Sequence, residues 1–77
     1  MPERYVDYAI VIEQAEASSG AYVPDLPRCV AVADSEEEVR DLVREAIEFH
    51  LDGMREDGEP IPRPTSRVGY VNVPVAA

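Results

Sequence analysis

Residues 21–39 constrain the fold most strongly, because they place two extended runs around a proline-locked turn and then begin a helix. Pro24 and Pro27 lack a backbone N–H, so they end the first run, residues 21–23, and hold the residues before them extended. The second run, residues 29–33, is small and apolar, as is typical of a strand. Ser35 and Glu38 have the spacing of a capping box, which predicts a helix N-terminus.

A first strand is predicted over residues 5–13, which alternate with a period of two. The residues predicted to face the core are Val6, Tyr8, Ile10 and Ile12. Residues 16–20 have the composition of a turn. Residues 21–23 therefore form a short second strand that pairs with the first as a hairpin.

The predicted helix covers residues 35–57 and ends before Gly58. Its apolar positions recur at steps of three and four and form one stripe, made of Val39, Leu42, Val43, Ala46, Ile47, Leu51 and Met54. Residues 58–64 are proline-rich and read as an extended connector. Val68–Val75 alternates again and predicts a fourth strand. The predicted fold is a single α+β domain over residues 1–77, ordered β-β-β-α-β, with one helix packed on a small antiparallel sheet.

The chain has 77 residues and a formal net charge of −9, which argues against direct binding of nucleic acid because phosphates are repelled. A basic protein partner fits that charge better. Its one cysteine excludes an internal disulfide and a multi-cysteine zinc site. A domain of this size buries only about 60–65% of its unfolded surface. We therefore expect a homodimer or homotetramer.

No catalytic constellation is predicted, and we expect neither enzymatic activity nor a cofactor or metal. Asp7 and Glu13 lie six residues apart on the predicted strand, about 20 Å, so they cannot share a metal. His50 has no serine or cysteine placed beside it, and Cys29 is expected to be a small core residue. No run reaches the ~18 apolar residues of a membrane span, and no signal peptide is apparent. A cytoplasmic location is expected.

The chain resembles the HicB antitoxin family. The matching residues are Tyr22, Pro24, Asp25, Leu26, Pro27, Cys29, Asp34, Ser35, Glu37, Glu38, Gly58, Ile61, Pro62 and Pro64. The chain departs from the family at Arg28 and Ala33, where relatives carry glycine, and at Val39. A glycine that adopts positive φ in relatives would leave Arg28 or Ala33 strained here.

The resemblance implies a partial ribonuclease-H-like domain without catalytic carboxylates, acting as an antitoxin that blocks HicA, a small basic RNA-cleaving toxin. We expect toxin contacts from Tyr22, Asp25, Arg28, Glu36 and Glu37. Many relatives carry an added DNA-binding domain. This sequence has no helix-turn-helix or ribbon-helix-helix pattern, so operator binding by this chain alone is not expected.

The sequence is also compatible with two other functions. One is a stand-alone homo-oligomeric binding module without a cognate toxin. The other is a ribonuclease-H-type enzyme, which would use carboxylates such as Asp7 and Asp25.

Overall fold

Three antiparallel strands and one long helix make up the fold, as seen in a computed structural model that describes residues 5–76. The strands are β1 (Val11–Gln14), β2 (Ser19–Val23) and β3 (Leu26–Ala33), and the sheet order is β1-β2-β3. The helix, α1 (Glu36–Glu56), packs on one face of the sheet, over β2 and β3. The predicted α+β class, with an antiparallel sheet and one helix on one face, is confirmed.

The register of the sheet explains where each strand stops. Val11 pairs with Tyr22, and Tyr22 in turn pairs with Val30. The pairing shifts after Tyr22, so that Val23 lies opposite Leu26 across the tight turn at Pro24 and Asp25. This turn lets β3 begin at Leu26, three residues earlier than the sequence pattern indicated.

The first strand is shorter than the predicted 5–13, because β2 ends at Val23, which in this register is level with Ile10, so residues 5–9 have no partner on β2. Residues 6–10 therefore precede the ladder. The prediction of which residues face the core is confirmed for Tyr8, Ile10 and Ile12, which pack against it. The prediction that Val6 also faces the core was wrong, because its side chain lies mostly in solvent.

The helix begins and ends as its capping residues predict. Ser35 is the N-cap, and its Oγ accepts the backbone N–H of Glu38 at 3.2 Å. The Glu38 side chain accepts from the Ser35 hydroxyl, whereas the capping box predicted a bond to the Ser35 N–H. Asp57 is the C-cap, and Gly58 follows it with φ +74°, a conformation that glycine adopts without strain.

The core lies between α1 and the inner face of β2 and β3. Its buried apolar residues are Ala21, Val23, Leu26, Cys29, Val39 and Val43. Ile47 and Leu51 pack against this cluster from the helix. Leu42, predicted in the same stripe, is 43% exposed because it lies on the flank of the helix. Cys29 is confirmed as a core residue, and burial raises the pKa of its thiol.

The fourth strand predicted over Val68–Val75 is not part of the sheet of this chain. Among residues 5–76, residues 68–76 have no ladder partner and are exposed along their whole length. We call residues 68–76 the C-terminal arm. Alternation identifies residues suited to a strand, but it does not supply the neighbour that a strand requires. Arg28 and Ala33, which stand where relatives carry glycine, are not strained, because every non-glycine residue within 5–76 has negative φ.

Candidate functional site

The five residues predicted to contact a partner do not form one cluster. Asp25 and Arg28 lie where β3 begins, whereas Glu36 and Glu37 lie in the first turn of α1, just after β3 ends. β3 has eight residues, so these two groups lie about 25 Å apart. Tyr22 lies on β2 and is partly exposed, opposite Val30 on the outer face of the sheet. One compact partner cannot contact all five residues through a single small patch.

The carboxylate of Asp25 is engaged within the chain. Its Oδ2 accepts the backbone N–H groups of Thr65 at 2.9 Å and Ser66 at 3.1 Å. Its Oδ1 accepts the two hydroxyl groups, from Thr65 at 2.9 Å and Ser66 at 2.8 Å. These bonds, led by the backbone N–H of Ser66, lower the pKa of Asp25 from 3.8 to about 2. We call this arrangement the Asp25 clasp, and it fixes the connector after the helix to the β2–β3 turn.

A second contact holds the connector at the same end of the sheet. The Tyr8 hydroxyl donates to the carbonyl oxygen of Pro62. Burial raises the pKa of this hydroxyl, and the nearby charge of Asp25 raises it further. The segment before β1, the β2–β3 turn and the connector therefore meet at one place.

An open depression lies beside the clasp, between β3 and the C-terminal half of α1. It has a volume of about 370 Å³ and is lined by residues that include Arg28, His50, Met54 and Pro62. Arg28 also borders a smaller depression with Phe49 and Gly53. His50 is half-buried, as the sequence suggested. Within residues 5–76, no three or more His, Cys, Asp or Glu side chains are grouped as metal ligands.

The solvent-facing side of α1 carries a row of carboxylates. At 3.6 residues per turn, Glu37, Asp41, Glu45 and Glu48 fall within an arc of about 80°, with Arg44 about 20° outside it, and all five are exposed. We call this row the acidic ridge. The ion pairs described on the helix, Glu36–Arg40 at 3.7 Å and Asp52–Arg55 at 3.1 Å, use none of these four side chains.

Phe49 lies next to the acidic ridge and is 83% exposed. It follows Glu45 by four residues and Leu42 by seven, so these side chains share one flank of the helix. A large aromatic group at such a position is typical of an anchor at a protein interface. The sequence contained the signal for both features. The ridge has helical spacing, and Phe49 falls outside the apolar stripe.

Residues 8–74 match the model of a family described as the HicB-like antitoxin of bacterial toxin–antitoxin systems. The chain belongs to the HicB-like antitoxin family. That membership supports a role in toxin–antitoxin systems in general.

One curated relative comes from Haemophilus phage HP1 (strain HP1c1), where it is described as an uncharacterized 14.9 kDa protein in the rep–hol intergenic region. It is 37% identical over 67 residues, which cover 87% of this chain and 50% of the relative. This HicB-like chain therefore spans about half the length of the phage protein. No solved structure matches it significantly. No helix within residues 5–76 is long and apolar enough to cross a membrane.

Proposed function

We propose that this HicB-like chain neutralises a small basic RNA-cleaving toxin of the HicA type by covering its RNA-binding surface. Family membership supports a toxin partner in general. The acidic ridge carries the specific proposal, because a surface that binds RNA phosphates is basic and complements a row of free carboxylates. In this proposal the antitoxin occupies the position of the substrate backbone.

Phe49 supplies the apolar part of the contact. Carboxylates alone raise the association rate and orient the two proteins more than they raise the affinity of the complex. An exposed aromatic ring beside them gives a group that the partner can bury. We therefore place the centre of the toxin contact on Phe49 and the acidic ridge, with Glu37 the one residue of the predicted set that belongs to it.

Three further elements complete the proposal. The chain acts in the cytoplasm together with its toxin, it is a homo-oligomer, and its sheet and helix correspond to part of a ribonuclease-H-like fold. Asp25 then serves to hold the connector. Tyr22, Arg28 and Glu36 stay candidates for contacts at the edge of the interface.

Co-expression with a HicA-type toxin encoded beside this chain tests the proposal. We expect the wild-type chain to restore growth and to co-purify with the toxin. The variant E45K/E48K reverses two ridge charges and should lose both properties. The matched control is E16K/D34K, which changes the net charge equally at two exposed carboxylates outside the helix. If both variants lose growth rescue and co-purification equally, the loss is an effect of net charge and not of the acidic ridge. Growth rescue by E45K/E48K would contradict the proposed contact surface.

A further inference from the structure

The C-terminal arm has the residue pattern of a strand, but no strand of the described part of the chain, residues 5–76, lies beside it. Tyr70 is 93% exposed, Val71 84% and Val75 85%. Valine and tyrosine are the residue types that fit a pleated, half-buried surface. A row of such residues in solvent marks an interaction surface.

The arm leaves the body of the chain at a fixed point. The Asp25 clasp holds Thr65 and Ser66 against the β2–β3 turn, and the arm begins two residues later. The Cα radius of gyration is 15.1 Å, whereas a compact chain of this length has about 11.5 Å. The longest dimension is 54 Å, about twice the other two. These dimensions fit an arm that is exposed over residues 68–76 and adds no strand to its own sheet.

Charge indicates what the arm binds. Residues 60–77 contain Arg63 and Arg67 and no Asp or Glu. Residues 1–59 contain all sixteen carboxylate side chains and five arginines, a formal charge of −11. Residues 60–67, which lead into the uncharged arm, are thus complementary in charge to the body of this same chain. A second copy supplies that body.

Within residues 5–76, β1 and β3 are the two edge strands of the sheet, and the charges favour β1 over β3. No Lys or Arg occurs between residues 5 and 27, and Asp7 and Glu13 lie along the β1 side. The β3 edge begins near Arg28, which would repel Arg67. Residues 6–10 also extend β1 beyond the end of β2, so this side offers nine residues, 6–14, for an arm of similar length.

The apolar pattern supports the same edge. Tyr8, Ile10 and Ile12 pack against the core but stay half-buried, and α1 lies over β2 and β3. A strand added beside β1 would place alternate arm residues such as Val71 and Val73 next to this incomplete apolar layer. Pro74 has no N–H to donate, and that is acceptable in an outermost strand.

We infer that the C-terminal arm of one copy pairs as an added strand with the open β1 edge, residues 6–14, of a second copy. Two copies that exchange arms reciprocally form a closed two-fold dimer, in which each sheet gains a fourth strand. The predicted order β-β-β-α-β is then completed by the partner's arm. The inference concerns self-association alone and does not depend on the toxin.

Light scattering on the full-length protein is the first test. The wild type should have the mass of a dimer at micromolar concentration, and V71D/V73D half that mass with an unchanged circular dichroism spectrum. Both valines are exposed in the single chain, so their replacement removes no core contact. The control V30D/V32D makes the same change at two exposed valines of β3. A monomeric wild type, or a dimer that is lost only in V30D/V32D, would overturn the inference.

Hydrogen exchange identifies the edge. In the wild type, amides of residues 6–12 and 68–75 should both be protected, and V71D/V73D should lose both protections together. If the protection lost outside the arm lies on β3, the assignment to β1 is wrong. If the arm is protected in a protein of monomeric mass, it folds onto its own chain and the exchange between copies does not occur.

Discussion

Ser66 donates both its backbone N–H, at 3.1 Å, and its hydroxyl, at 2.8 Å, to the carboxylate of Asp25, which lies 41 residues earlier in the chain. This contact joins the end of the connector to the turn between β2 and β3. It explains why a polar residue stands in a turn that is otherwise built from prolines and leucine. It also sets the starting point of the arm.

The clasp makes stability depend on pH in a defined window. The folded-state pKa of Asp25 is about 2, below its ordinary value of 3.8, so its contribution is complete above about pH 4 and is lost as the pH falls towards 2. Urea unfolding at neutral pH should show D25N less stable than wild type. The difference between the two proteins should shrink as the pH is lowered through this window.

The matched control for the clasp is D41N, which removes a charge from an exposed helical carboxylate. D41N should leave the free energy of unfolding at neutral pH within about 0.5 kcal/mol of wild type, as is usual for an exposed position. A D25N protein that unfolds at the wild-type urea concentration at neutral pH would exclude the clasp as a stabilising contact.

The helix should lose stability when its N-cap is removed. S35A deletes the oxygen that accepts the Glu38 N–H, and such a change costs about 1 kcal/mol. S35D keeps an acceptor at this position and should restore most of the loss. Thermal unfolding of the three proteins, followed by circular dichroism, measures the effect, and an S35D protein no more stable than S35A would contradict it.

The core depends on two valines of the helix that face the sheet. Val39 and Val43 are almost completely buried. V43A removes two carbon atoms from this cluster, and transfer and cavity terms together predict a loss of about 2 kcal/mol. V32A removes the same atoms from an exposed position of β3 and should change the free energy of unfolding by less than about 0.5 kcal/mol. Equal losses in the two variants would refute this location of the core.

The toxin contact should be sensitive to Phe49. F49A removes an exposed ring, so the free energy of unfolding should stay within about 0.5 kcal/mol of wild type. Loss of an interface anchor typically costs about 2 kcal/mol or more, equivalent to a roughly 30-fold weaker dissociation constant. Calorimetric titration with the HicA-type toxin measures this loss. Unchanged affinity would remove Phe49 from the interface.

The thiol of Cys29 should react slowly with alkylating reagents in the folded protein. Burial raises its pKa and excludes the reagent, and the Sγ lies 3.9 Å from the carbonyl oxygen of Ala46. The reaction should become fast in urea. The expected readout is mass spectrometry of the alkylated fraction over time, and rapid modification without denaturant would show that β3 is not covered by the helix.

The helix could be predicted almost residue by residue, because Ser35, Glu38 and Gly58 are local signals that act over one turn. The strands could be predicted only in part. The alternation of residues 5–13 and of the arm identifies which residues favour a strand, but pairing depends on where β2 ends and on a neighbour for the arm, which residues 5–76 do not supply. Asp25 was predicted as a toxin contact and not as the acceptor of the clasp, because no local sequence pattern links it to Ser66.

The arm also has a consequence for how long the protein survives. Proteases bind their substrates as extended backbone, and a single copy presents such a backbone over residues 68–76. At low protein concentration the proposed dimer would dissociate and expose the arms to cleavage, whereas at high concentration the arms would stay paired and protected. The lifetime of each molecule would then rise with the number of its copies.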